Sequence, residues 1–186
     1  MIVWLNGGFG AGKTTLAGEL QERVAGAVVY DPEHVGAMLW KWLPRNDDFQ
    51  DLPSWRELVV ATAVSLRRHH AETLIVPMSL IRDAYRAEIL DGLADAGEEV
   101  LHVFLEASGD ELKRRLGARG APPNSLGSAE TIREWAFSRL DAAVSAASRQ
   151  PEGTLLLRSD QLSPAELADQ VLAAMDERDG GDRSRH

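Results

Sequence analysis

The sequence predicts an α/β fold built on a mainly parallel sheet, and three observations predict it. Five short apolar segments alternate with longer stretches of helical period. A glycine-rich loop stands between the first of those segments and the first helical stretch. The chain has 186 residues, 44% of them hydrophobic and 26% charged, which suits one domain with its own core. Residues 1–178 are read as that single domain.

The expected strands are Ile2–Asn6, Ala27–Asp31, Thr73–Met78, Val100–Leu105 and Thr154–Arg158. Between them, apolar residues recur at helical spacing, each series marking one buried face. The series are Leu16, Leu20 and Val24; Trp55, Val59, Thr62 and Leu66; Ile81, Tyr85, Ile89 and Leu93; Ile132, Ala136, Leu140 and Val144; and Leu167, Val171 and Met175. Ser163-Pro164-Ala165-Glu166 places a capping Ser, a Pro at the first helical position and an acid at the third, so the last helix begins there. Gly117 to Ser128 is dense in Gly, Pro, Asn and Ser and too long for a tight connection. It is expected to be a short lid reaching to about residue 130. Asp179 to His186 is polar and without period, and is expected to be a disordered tail.

Composition excludes several functions. Lys+Arg 20 against Asp+Glu 29 gives a net charge of −9, so no nucleic-acid partner is expected. With no cysteine, thiol nucleophiles, disulfides and thiolate zinc sites are impossible. The start, Met1-Ile2-Val3-Trp4-Leu5-Asn6, has no basic leader and too short an apolar run for a signal peptide. No run of about 18 apolar residues occurs, so a cytoplasmic protein is expected.

Gly7-Gly8-Phe9-Gly10-Ala11-Gly12-Lys13-Thr14 fits the pattern G-x-x-x-x-G-K-[ST] in its proper place between strand and helix. Phosphate oxygens need many convergent donors at short range. Glycines let the backbone curl so that successive N–H groups point inward, and the helix start adds its partial positive charge. Lys13 supplies a compact cation for the β- and γ-phosphates, the Thr14 hydroxyl can ligate magnesium, and Thr15 lies beside the first helical turn. The loop from Gly7 to Thr15 therefore predicts a bound nucleoside triphosphate.

Other residues narrow the class. No Asn-Lys pair is present for guanine recognition, and the third strand, Leu74-Ile75-Val76-Pro77-Met78-Ser79, ends without the acid that holds the metal in motor ATPases. Small phosphotransferases use a carboxylate after the second strand instead, and Val28-Val29-Tyr30-Asp31 offers one. Asp31 is expected at the carboxyl end of its strand, facing the phosphate loop, as general base or magnesium ligand. Asp before Pro32 is equally the pattern of a helix N-cap, and the two roles are compatible. Arg115 and Arg119, four apart on one helical face, are candidates to neutralise the transferring phosphoryl group; they could instead offset the helix dipole, the reading adopted for Lys113 and Arg114. Arg133 and Arg139 are weaker candidates. His69 and His70 diverge on a helix, and His102 lies within a strand and is read as structural.

Ile2 to Thr14, Tyr30-Asp31-Pro32-Glu33, Asp48-Phe49-Gln50 with Trp55, Leu74 to Met78 and Asn124-Ser125 together resemble the bacterial tunicamycin resistance proteins, similar in fold to nucleotide kinases and shikimate kinase. The resemblance runs from about Met1 to Met175. It implies a three-layer P-loop fold with strand order 2-3-1-4-5, and an ATP- and magnesium-dependent kinase acting on a hydroxyl of a small molecule. The implied acceptor is a nucleoside antibiotic, bound near Trp40, Trp42 and Trp55, where related kinases place the acceptor. Spacing alone puts Trp55 in the core and at most one of Trp40 and Trp42 inside. Two other readings stay open: a protein that sequesters the drug without chemistry, and a nucleoside monophosphate kinase. The family's longer C-terminal region, linked to membrane association, is not matched, and the acidic final helix would be repelled by anionic lipid, so no membrane attachment is expected.

Overall fold

The computed structural model describes residues 1–118 and 129–183. Five strands, β1 (Ile2–Gly7), β2 (Ala27–Val29), β3 (Thr73–Pro77), β4 (Val100–Glu106) and β5 (Leu155–Arg158), form one parallel sheet in the order β2-β3-β1-β4-β5. The helices among the described residues are α1 (Lys13–Arg23), α2 (Glu33–Leu39), α3 (Pro53–His69), α4 (Asp83–Asp95), α5 (Gly109–Ala118), α6 (Ala129–Ser138), α7 (Leu140–Ala146) and α8 (Pro164–Arg183). They cover both faces of the sheet, as expected for a three-layer α/β fold.

β1 shows how the layers divide. Every one of its residues is buried. Val3 and Leu5 enter a core with Leu16 and Leu20 of α1, Leu112 of α5 and Val171 of α8. Ile2 and Trp4 point the other way, into a second core with Trp55 and Val59 of α3 and Ile89 and Leu93 of α4. The period-two alternation of a strand thus serves two cores at once, and an uninterrupted apolar run is what such a strand needs. At the last helix, Ser163 N–H donates to Glu166 Oε2 at 2.8 Å and Glu166 N–H to Ser163 Oγ at 3.3 Å, the reciprocal cap expected of that tetrapeptide. No helix of the described residues is long and apolar enough to cross a membrane.

Two expectations need correction. The series Ile132, Ala136, Leu140 and Val144 is not one helix: the chain turns at Arg139, whose N–H bonds Ala136 O three residues back, and α7 starts afresh. That tighter step shifts the buried face, so Ala143 and Ala146 go inside while Val144 is 41% exposed. α8 continues to Arg183, past the start of the expected tail at Asp179. A helix already nucleated needs only one hydrogen bond per added residue and no apolar period. The expected lid falls, over 119–128, outside the described residues, together with Arg119, Asn124 and Ser125.

Candidate nucleotide and acceptor site

β1 delivers the chain to Gly7, where φ is +137° and an added Cβ would lie 2.7 Å from Leu105 O on the neighbouring strand β4. Only glycine fits that corner. The loop closes with Ala11 N–H on Gly8 O at 3.2 Å and ends at Gly12, φ +99°, the N-cap of α1. A Cβ on Gly12 would meet no atom of the described residues within 4 Å, so the demand for glycine here comes from the backbone angle and from the space in front of the loop. No side chain caps α1, which leaves the N–H groups of its first turn without intrahelical partners. Lys13 Nζ donates to Gly7 O at 3.0 Å and Gly8 O at 2.9 Å, and stands 5.6 Å from the Phe9 ring. These are the features of an anion cradle.

The cradle opens into a cavity of about 880 Å³. Phe9, Gly10, Gly12, Lys13, Thr14 and Thr15 line its floor; Gly7, Gly8 and Ala11 shape the loop from behind. Asp31 lines the same cavity beyond the end of β2. Its Oδ1 accepts from Glu33 N–H at 2.9 Å, so one carboxylate both caps the start of α2 and lines the cavity. The Thr14 hydroxyl and the Asp31 carboxylate are hard oxygen donors on one cavity, a donor set that fits magnesium completed by phosphate and water. Among the described residues no cluster of three or more His, Asp or Glu could hold a metal unaided.

Arg115 lies on the cavity wall and is heavily engaged. Its Nη1 donates to Gly10 O at 3.3 Å, its Nη2 to Ser159 O at 2.7 Å and its Nε to Glu111 Oε1 at 2.6 Å. It is a strut between the phosphate loop and the turn after β5. Arg114 and Arg115 together hold the Glu111 carboxyl at about 2. Arg114 and Arg133 also line the cavity, unlike Lys113.

The tryptophans separate. Trp40 lines the cavity, its Nε1 donating to Asn46 Oδ1 at 3.0 Å and its ring edge-on to Phe49. Trp55 is fully buried and donates to Pro32 O at 3.1 Å, while Trp42 is 71% exposed and stands apart from the lining residues. Of the three tryptophans near which an acceptor was expected, Trp40 lines the cavity and Trp42 and Trp55 do not. Trp135 of α6 lines the cavity instead, its ring 4.8 Å from Phe9. Tyr30 turns into the core, where burial pushes its hydroxyl up to about 12.

Opposite the cradle stands a wall that periodicity did not reveal. Asp48 is 7% exposed and its Oδ1 accepts from Gln50 N–H at 3.0 Å. Gln50 Nε2 donates to Ser79 O at 2.9 Å, and Ser79 Oγ donates to Gly7 O at 2.8 Å. The segment is therefore tied to the phosphate loop through the end of β3, the place left without an acid. Asn6 completes the junction: Oδ1 accepts from Gly7 and Leu80 N–H, both at 2.7 Å, and Nδ2 donates to Leu80 O at 3.0 Å and His102 Nε2 at 3.3 Å. The signal for Asp48 was local, an Asp two residues before an amide donor, the pattern of an Asx turn.

Comparison with known proteins agrees with this architecture. A family model described as an AAA domain matches residues 2–146. The tunicamycin resistance protein of Deinococcus radiodurans is 31% identical, with a TM-score of 0.73 and 94% of each chain covered. A gluconokinase from Sinorhizobium meliloti is 16% identical, with a TM-score of 0.64 over 98% of this chain and 95% of that one. The Mycobacterium tuberculosis APS kinase, solved with AMPPNP and APS, is 20% identical, with a TM-score of 0.62 over 94% and 96%. These last two share the P-loop kinase fold. No curated protein matches the sequence significantly.

Proposed function

This chain belongs to the AAA domain family and with the tunicamycin resistance proteins, and from that membership we propose that it transfers the γ-phosphoryl group of ATP to a hydroxyl of a nucleoside antibiotic such as tunicamycin. One observation carries the reading: a phosphate cradle and the Asp31 carboxylate line one cavity with room for a nucleotide and a second ligand.

The phosphates lie on the first-turn N–H groups of α1, with Lys13 Nζ beside them. Thr14, with Asp31 reaching through water, would hold magnesium, which would offset negative charge on the phosphates. Asp31 takes the proton of the acceptor hydroxyl as its oxygen bonds to the γ-phosphorus. The bond to the β–γ bridging oxygen breaks, and ADP leaves with that electron pair. Arg115 holds Gly10 and Ser159 in register, which fixes the cradle. Arg119, which lies outside the described residues, is assigned to supply charge to the transferring group. Phe9 and Trp135, packed edge to face, exclude water from the reacting phosphate.

Mass spectrometry of tunicamycin after incubation with the protein, ATP and magnesium tests the proposal. A gain of about 80 Da on the drug, one phosphoryl group, is expected. Binding without that gain would make the protein a trap for the drug and overturn the transfer.

A further inference from the structure

Charge is segregated around the cavity. Among its described lining residues, the cradle and helices α5 and α6 contribute Lys13, Arg114, Arg115 and Arg133 and no acid. The stretch from Asp31 to Gln50 contributes Asp31, Glu33, Asp47 and Asp48 against Arg45. A phosphorylated ligand seated on that second wall would meet like charge, whereas the same groups welcome hydroxyl and N–H donors.

Two polar groups where the walls meet are incompletely matched. Trp135 Nε1 is buried and has no hydrogen-bond partner among the described residues, on a residue that lines the cavity. A buried donor without an acceptor is costly and calls for one from a ligand. Asp48 spends Oδ1 on Gln50 N–H, while Oδ2 has Arg139 Nη2 at 4.0 Å, outside hydrogen-bond range. The Arg139 guanidinium lies 4.1 Å from the Trp135 ring centroid, so a single cation links the indole to the carboxylate. Burial pushes the Asp48 carboxyl up, as expected of a group awaiting donors.

We propose that Trp135 and Asp48 form the specificity site for the acceptor, which is an uncharged molecule bearing hydroxyl or amide groups. The indole N–H donates to an acceptor oxygen, Asp48 accepts from an O–H or N–H, and the acidic wall rejects phosphorylated ligands. This rests on the proposed function only in taking the cavity as the acceptor's place. It removes the nucleoside monophosphate kinase reading.

The test is calorimetric titration of the magnesium–AMPPNP-loaded protein with tunicamycin, uridine and uridine monophosphate, for wild type, Trp135→Phe and Asp48→Asn. The first variant keeps a ring against Phe9; the second keeps an oxygen for Gln50 N–H. Each should weaken the neutral probes by about tenfold, the scale of one buried hydrogen bond, with AMPPNP affinity and melting unchanged. Uridine monophosphate should bind at least about tenfold more weakly than uridine, and Asp48→Asn should narrow that gap. Wild-type affinity for the neutral probes in both variants, preference for the monophosphate, or no binding of any neutral probe overturns the assignment. Because AMPPNP prevents transfer, failure of the drug to gain mass from ATP sinks the kinase reading alone.

Discussion

Acid should weaken this fold through one imidazole. His102 in β4 is 6% exposed, with Asn6 Nδ2 donating to Nε2 at 3.3 Å and Nδ1 lying 3.0 Å from Thr154 Oγ1. That pattern assigns the neutral tautomer with the proton on Nδ1. Burial, with Arg86 second, holds the ring at about 4 instead of 6.5. The unfolded chain therefore binds a proton as pH falls below 6.5, while the folded protein does so only near 4. Stability from the neutral ring is complete above pH 6.5 and drains away as pH drops toward 4. The difference amounts to about 3 kcal/mol, at about 1.36 kcal/mol per tenfold in proton affinity. Urea unfolding across that range, for wild type and His102→Gln, isolates the term, because other titrations cancel in the difference. Wild type should lose about 3 kcal/mol more than the variant on acidification. Parallel curves for the two proteins would refute the argument.

Other perturbations separate cradle, carboxylate and backbone. Lys13→Ala should abolish ATP binding by calorimetry while leaving melting nearly unchanged, since Lys13 contacts loop carbonyls and not the core. Asp31→Asn retains an oxygen for Glu33 N–H and should melt like wild type, yet phosphorylate the acceptor about a hundredfold more slowly; Asp31→Ala should also cost about 1 kcal/mol of stability. An Asp31→Asn protein with undiminished turnover has no need of the carboxylate. Gly7→Ala should destabilise by about 3 kcal/mol in chemical denaturation, because its Cβ collides with Leu105 O at an angle that alanine avoids.

What could be read from the sequence was local. The cradle is contiguous, so Gly7 to Thr14 announce it without help from the rest of the chain. Strands buried on both faces appear as apolar runs whatever their neighbours, and Trp55 declared its place by helical spacing. The opposite wall is different in kind. Gln50 matters because its amide reaches Ser79, and Ser79 because its hydroxyl reaches Gly7, contacts that span 29 and 72 residues. Trp135 entered the cavity by packing on Phe9, distant in sequence. The turn at Arg139 has neither Gly nor Pro to mark it, so the break between α6 and α7 was hidden.

The corner at Gly7 also bears on how the protein comes into being. Its cradle is shaped by Leu105 on one side and by Ser79 on the other, and Asn6 needs both Leu80 and His102 to be satisfied. The motif precedes in the chain the strands β3 and β4 that form its mould, so they are synthesised later than the loop they shape. Affinity for nucleotide should thus emerge with the β1–β4 pairing rather than with the loop itself, late in a topology dominated by distant contacts. Nucleotide capture is then a timer for assembly of the sheet: a nascent chain stalled before β4 should be blind to ATP, and ATP should rescue only chains whose sheet has already closed.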